Sequence, residues 1–443
     1  MKTLQLAGLV RTLGTGRHIL GFSLAMAVAG AAHGAGVKIE VWHTLSGSNK
    51  AEFEKLAKKY NKEQDGVVVS LRGFDDAKAL QAAASDAVKK KTAPHLLQLE
   101  DNRSPEVVSE HKAILPLHQL LAKYPVKDLN WFVPATSSFI HDGKGRLLAF
   151  PWMAEVPVMY YNLDHYKKAG LDVNNPSRTW ADLQADLLKL RDAARLDCPY
   201  ATSNQVEVHL ENLAPVNNQS YITNDNGLAA SKAAPTFKFD TLYMRHLALM
   251  VSWKRSYLLT ASSDDLQSDK QFADGKCGIL MSGSGSAGQF MNTRNLNFGV
   301  APLPYYPQAT KTPGRPFVSG SALWAMAGHP QQEEKATAQF IAWLSKPVNA
   351  AYWHQHTGYL PLTDAAARAA DVSFYDKVPG GKTLVSSLRG APNATSRGFR
   401  MKHYDRIEPV LNSELNLALE GITPPMAALN NASAQAKKIV QQR

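Results

Sequence analysis

Apolar and polar residues alternate in VKIEVW (37–42), the period of a half-buried strand. The period then changes. In NKAEFEKLAKKYNKE the residues Phe53, Leu56, Ala57 and Tyr60 recur at helical spacing. VVVSLRG (67–73) reads as a strand again, a helical stretch begins at Asp76, and APHLLQLE (93–100) reads as a third strand. Strand, helix, strand, helix, strand predicts a parallel α/β unit. In such sheets ligands meet the loops at the carboxyl ends of strands, here His43–Ser48, Gly73–Asp76 and Glu100–Asn102.

A second region begins near Phe150. PVMYYNLDHYKKAGL predicts a strand and a short helix closed by Gly170. RTWADLQADLLKLRDAA places Asp182 three residues after Thr179, a capping-box spacing. The apolar face of Leu183, Leu187, Leu188 and Leu190 follows. Residues 240–256 and 331–346 read as helices, and KCGILMSGSGSAGQFM (276–291) as strand, Gly/Ser loop and helix. The stretch 408–441 reads as helical, broken by Pro424 and Pro425.

The 443 residues exceed one small core and predict two domains, and 44% apolar with 20% charged residues is an ordinary globular composition. The first 34 residues differ. Lys2, Arg11 and Arg17 precede ILGFSLAMAVAGAA, an apolar run of about 14 residues that is too short to span a bilayer. Small residues at Ala32 and Gly34 precede a cut. Residues 1–34 read as a secretory signal peptide, with the mature chain starting near Ala35; the alternative is an N-terminal membrane anchor. Export without an anchor suits a periplasm. Neither cysteine lies near the cut, which excludes lipid attachment there. Cys198 and Cys277 either pair in an oxidising compartment or remain two buried thiols.

The formal charge is +11, and the leader carries three of those positive charges. The remaining Lys and Arg are scattered, with no aromatic-interleaved basic block, so a solvated surface is expected rather than a nucleic-acid face. GSGSAG matches G-x-G-x-x-G at Gly283, Gly285 and Gly288, but no acid follows about 20 residues on, which argues against a dinucleotide site. Such glycines either bare N–H groups for a phosphate, carboxylate or hydroxyl, or form a plain turn. His354 and His356 are two apart and do not share a helix face for a metal. HExxH, CxxC, Walker and nucleophile-elbow motifs are absent. Acids available for paired-carboxylate chemistry are Asp75, Asp101, Glu155, Glu207 and Glu408, which keeps a secreted glycoside hydrolase or lyase as the alternative function. Finally, HQHTGYLPLT (354–363) is either a helix stop or a turn that aims Tyr359 into a cleft.

Several segments together resemble one family. They are Trp42-His43, PVMYYNLDHYKKAGLD followed by TWADL, GKCGILMSGSGS, SGSALWAM and KPVNAAYWHQHTGYLPLT. Their order and spacing, from about Val37 to the C-terminus, resemble the periplasmic solute-binding proteins of carbohydrate-type ABC importers, closest to those that bind glycerol 3-phosphate. The resemblance implies an α/β, two-lobed periplasmic binding protein fold with hinged lobes and a ligand cleft between them. It places residues 35–148 and 305–357 in an N-terminal lobe, and 149–304 and 358–443 in a C-terminal lobe. Hinges are expected near 145–155, 300–310 and 355–362. It also implies a monomer without cofactor, metal, nucleic acid or catalysis, delivering a small-molecule ligand to an inner-membrane ABC permease with its ATPase.

The resemblance implies ligand contacts at Tyr359, at the backbone of Gly320, and at Gly283 beside Ser284. Elsewhere the family's residues are replaced. A tyrosine falls on Asp75, a glutamate on Asp101, a serine on Glu155, tryptophans on Asn204 and Glu207, and a phosphate-clamping arginine on Glu408. A carboxylate ~4 Å from a phosphate costs about 4 kcal/mol at an effective dielectric of 20, on the order of a thousandfold in affinity. Arg400 or Arg406 stands in if the alignment slips by a turn. Read literally, the cleft is acidic, with Trp42, Trp152, Trp324 and Tyr359 as platforms, and suits a polyol, a sugar or a cationic solute as well as a glycerol-3-phosphate-like one.

Overall fold

The computed structural model describes residues 36–100, 112–126, 139–142, 144–260, 265–361, 363–386 and 393–442. The expected leader, 1–34, and Asp101 lie outside the described residues.

The first sheet has the order β2-β1-β3-β10-β4. Strand β1 (Val37–His43) pairs in parallel with β2 (Val67–Gly73) and β3 (Leu96–Glu100). Helices α1 (Gly47–Glu63) and α2 (Ala77–Lys90) connect them, as the change of period predicts. The buried side of α1 is Phe53, Leu56, Ala57 and Tyr60, the helically spaced set. Asp76 caps α2 by accepting from the Ala79 N–H. The sheet is completed by β4 (Phe150–Glu155) and by β10 (Ser319–Ala325), which is antiparallel to both β3 and β4.

The second sheet has the order β7-β6-β8-β5-β9. Its strands are β5 (Pro157–Asn162), β6 (Cys198–Thr202), β7 (Leu259–Thr260), β8 (Cys277–Gly283) and β9 (Phe298–Pro302). Short α3 (Leu117–Lys123) packs in the first lobe. In the second, α4 (Leu163–Lys168) is followed by α5 (Trp180–Asp192). Thr179 caps α5 through the Asp182 N–H, and Leu183, Leu187 and Leu190 are buried while Leu188 is exposed. Cys198 and Cys277 face each other on adjacent parallel strands and form a disulfide.

Among the described residues the chain passes between the sheets three times. Val156, fully buried, joins β4 to β5. Residues 303–318 join β9 to β10. The third crossing follows α10, introduced below. Strand β4 pairs with β10, so the first sheet extends past 148 to Glu155. Tyr305 bridges Thr179 and the Tyr306 N–H donates to Asn217 Oδ1, so the segment after 305 still packs on the second lobe.

Candidate ligand-binding site

The site grows out of the first lobe's core. Phe150 stacks on Trp152 at 5.6 Å, Trp152 on Trp353 at 5.0 Å, and Trp353 on Tyr359 at 5.6 Å, all within 16° of parallel. The Trp353 indole N–H donates to the Trp152 carbonyl at 2.8 Å. Tyr359 is thus the last ring of a four-ring stack, and three buried rings set its plane.

Helices that follow along the chain include α6 (Thr241–Arg255), α7 (Asp265–Ala273), α8 (Ala287–Met291), α9 (Gln331–Leu344), α10 (Pro347–Thr357), α11 (Asp364–Ala369), α12 (Tyr404–Leu419) and α13 (Pro425–Val440). Helix α10 stops at Gly358, whose φ of +84° is the left-handed conformation of a helix C-cap. A Cβ on Gly358 would also lie 2.2 Å from the Ser284 carbonyl oxygen. The turn is therefore both a helix stop and a contact with the second lobe. His354, fully buried, holds the Tyr359 carbonyl through Nδ1 at 2.6 Å and meets the Tyr375 hydroxyl at Nε2. Burial pushes its pKa down to about 4. The Leu360 N–H donates to the Ala154 carbonyl, pinning the crossing to the end of β4.

Facing this turn is the glycine loop of the second lobe. A Cβ on Gly283 would be 2.2 Å from Glu155 Oε2, one on Gly285 2.6 Å from the Tyr359 ring, and one on Gly288 2.7 Å from Asn49 Oδ1. The three glycines of the G-x-G-x-x-G match thus admit Glu155 and Asn49 from the first lobe and Tyr359 from the third crossing, and this use explains the motif without a dinucleotide. Both peptide groups of Gly285 are held from across the crossing. Its N–H donates to Glu155 Oε2 at 3.0 Å, and its carbonyl accepts from Asn49 Nδ2 at 3.0 Å. Gly320, with φ +113°, lies on the other side of Glu155, where a Cβ would be 2.3 Å from the Met153 carbonyl oxygen.

The electrostatics centre on Glu155, which ends β4 and keeps part of its surface exposed. Its pKa is pushed up to about 8, first by burial and then by Glu207, Asp269 and Glu100; the Gly285 N–H works against the rise. Its surroundings thus favour the neutral acid near pH 7. Glu207 accepts from the Ser319 hydroxyl at 2.7 Å. Asp269, on α7, accepts from Ser203 and Ser286 at 2.5 Å each, and burial raises its pKa as well. Burial and the Glu155 charge also raise the Tyr359 phenol.

Tyr359, Gly320, Gly283, Glu155 and Glu207 come together at the crossing; other expected contacts do not. Trp152 is fully buried in the ring stack, and Trp42 and Trp324 are also buried, so none of the three offers an open platform. Ser284 is fully buried too. Its N–H donates to the Val156 carbonyl and its hydroxyl accepts from the Val156 N–H at 3.4 Å, which ties it to the crossing rather than to a ligand. Asp75 is exposed just ahead of α2. Glu408 lies in α12, where its charge acts on Tyr221, a phenol bonded to Tyr404, which in turn donates to Glu211. Arg406 is exposed and contacts Gln442. The Arg400 guanidinium donates to the His141 carbonyl, on the segment leading into β4.

Asn49, Ser203, Asp269 and Ser286 were not foreseen. Asn49 had a signal, since it follows the loop at the carboxyl end of β1. Asp269 had none, because an acid on an amphipathic helix normally faces water. Among the described residues one group has the spacing to hold a metal: His95, His329 and Glu333. His95 Nδ1 accepts the Glu40 N–H, which leaves its proton on Nε2, pointing at Glu333 Oε2 at 3.0 Å. That nitrogen has no lone pair for an ion. No helix among the described residues is long and apolar enough to cross a membrane.

A sequence profile of the family described as bacterial extracellular solute-binding protein matches residues 55–380. The sn-glycerol-3-phosphate-binding periplasmic protein UgpB of Yersinia pseudotuberculosis is 32% identical over 400 residues, covering 89% of this chain and 90% of that protein. Among solved structures, UgpB from Mycobacterium tuberculosis in complex with glycerophosphocholine superposes with a TM-score of 0.73 at 19% identity, over 92% of this chain and 99% of that one. Maltose-bound MalE3 from T. maritima gives 0.73 at 18% identity, over 91% and 100%.

Proposed function

The chain belongs to the bacterial extracellular solute-binding proteins, and from that premise we propose that it is the periplasmic binding subunit of an ABC importer, capturing a small polar solute where its two lobes meet. One observation carries this reading: Tyr359, Glu155 and Gly320 converge with the Gly283–Gly285 loop of the other sheet at the place where the chain crosses between lobes. A solute that bridges both faces favours the closed form, which is how two-lobed binders trap cargo. Tyr359 supplies a flat face and one hydroxyl, Glu155, Glu207 and Asp269 supply carboxyl oxygens, and Arg400, bound to the His141 carbonyl on the segment leading into β4, is the candidate for an anion clamp. We assign residues up to Glu155 and 319–357 to one lobe, and 157–302 and 358–442 to the other.

Export through the leader 1–34, release as an unanchored monomer and delivery to a membrane permease with its ATPase complete the proposal. UgpB relatives carry glycerol 3-phosphate in their names, and a glycerol phosphoester heads the solutes to try, followed by sugars and amines. The family and its relatives are binding proteins, which supports reading the cleft acids as solute contacts rather than as the acid pair of a hydrolase. A thermal-shift screen of glycerophosphates, sugars and amines tests the proposal. A raised melting temperature with one class, accompanied by a smaller radius of gyration in X-ray scattering, is expected. No stabilisation by any of them, with Tyr359 intact, refutes it.

A further inference from the structure

Glu155 ends β4 at the crossing between the two sheets, and its surroundings limit how it can act. Its Oε2 is already committed as the acceptor of the Gly285 N–H. The titratable groups around it come from five elements: Glu207 from the turn Glu207–Glu211, Asp269 from α7, Glu100 from β3, Tyr359 from the third crossing and Tyr160 from β5. Three of these are carboxylic acids. Burial and these neighbouring carboxyl groups, Glu207 first, act together against a negative charge on Glu155. Asp269 is held as an acceptor by two serine hydroxyls, and Glu207 accepts from Ser319. Glu155 accepts one backbone N–H at Oε2, a bond that the neutral acid keeps while its other oxygen carries the proton.

We propose that Glu155 binds the solute as a neutral carboxylic acid, donating its O–H to an acceptor oxygen of the ligand while Oε2 stays on the Gly285 N–H. The inference rests on the cleft assignment above and deepens it. The ligand oxygen is a phosphoester oxygen or a hydroxyl oxygen. The usual carbohydrate-site role, a carboxylate accepting a hydroxyl proton, is reversed.

A glutamine tests this directly, because its amide oxygen can keep the Gly285 N–H while its NH2 donates as the acid does. Wild type, E155Q and E155A are titrated calorimetrically with sn-glycerol 3-phosphate and with maltose at pH 7 and pH 9. Maltose does not ionise in this range, so it separates the protein's titration from that of the phosphate. For whichever solute binds, E155Q should stay near wild type at pH 7, and E155A should lose about tenfold or more. At pH 9 wild type should weaken by about tenfold while E155Q does not change. E155Q as weak as E155A, or wild type unchanged at pH 9, overturns the inference. A readout without solute covers the case in which neither binds. The infrared difference between wild type and E155Q at pH 7 should contain the carbonyl stretch of a protonated carboxyl, and this should vanish at high pH. Its absence overturns the inference. Its presence with both solutes silent supports the neutral acid and counts against the choice of solutes in the proposed function alone.

Discussion

Replacing Glu155 by glutamine should make the protein more stable at high pH and leave it unchanged at low pH. The folded-state pKa of about 8 lies above the ordinary value of 4.5. Below the lower value both folded and unfolded chains carry the proton, and the group costs nothing. Between the two values the unfolded chain ionises while the folded one keeps its proton, so the unfolded state binds fewer protons and stability falls as pH rises. Above about 8 the full cost is present. At about 1.4 kcal/mol per pH unit the gap amounts to roughly 5 kcal/mol, and partial exposure with local relaxation reduces it to about 2–3 kcal/mol. Glutamine keeps the bond to the Gly285 N–H and removes the titration. Urea unfolding of wild type and E155Q followed by circular dichroism at pH 4.5, 7 and 9 provides the assay, and other titrating groups cancel in the difference. The expected advantage of the variant is near zero at pH 4.5 and about 2 kcal/mol at pH 9. A difference that stays the same at all three pH values refutes the reasoning.

Y359A should weaken solute binding on the order of tenfold, whereas Y359F should keep most of it, because the stacked face survives and only the hydroxyl is lost; equal affinity of Y359A and wild type by calorimetry removes Tyr359 from the site. G358A should lower stability by about 2 kcal/mol or more, since it combines a left-handed backbone with a Cβ 2.2 Å from the Ser284 carbonyl oxygen; an unchanged melting temperature contradicts this. Reduction of the Cys198–Cys277 bond, which spans 79 residues, should cost about 2–5 kcal/mol, read as a lower urea midpoint with dithiothreitol.

The legible part of the fold is the part specified locally. The strand alternation of 37–42, the helical set around Phe53 and the Thr179 cap each act over a few residues, and each forms where expected. The return of β10 between β3 and β4 was not legible, because its partners lie more than 160 residues away along the chain. Trp152 shows a second limit. A platform in a cleft and a ring in a core use the same residue, and only packing separates them. Glu408 shows a third, since irregular backbone at 393–403 precedes α12, and over such a stretch no periodicity fixes which residue takes the place of a family arginine. Asp269 reaches the site only through the tertiary placement of α7.

The file of rings that ends at Tyr359 makes the protein its own optical probe. Two indoles, Trp152 and Trp353, lie in stacking contact with each other, and the second lies against the tyrosine that faces the crossing. A solute settling on that tyrosine alters the polarity and polarisability felt by buried chromophores one or two rings deeper. Capture should therefore register as a change in intrinsic emission, and Trp353→Phe should mute the signal while leaving the cargo bound.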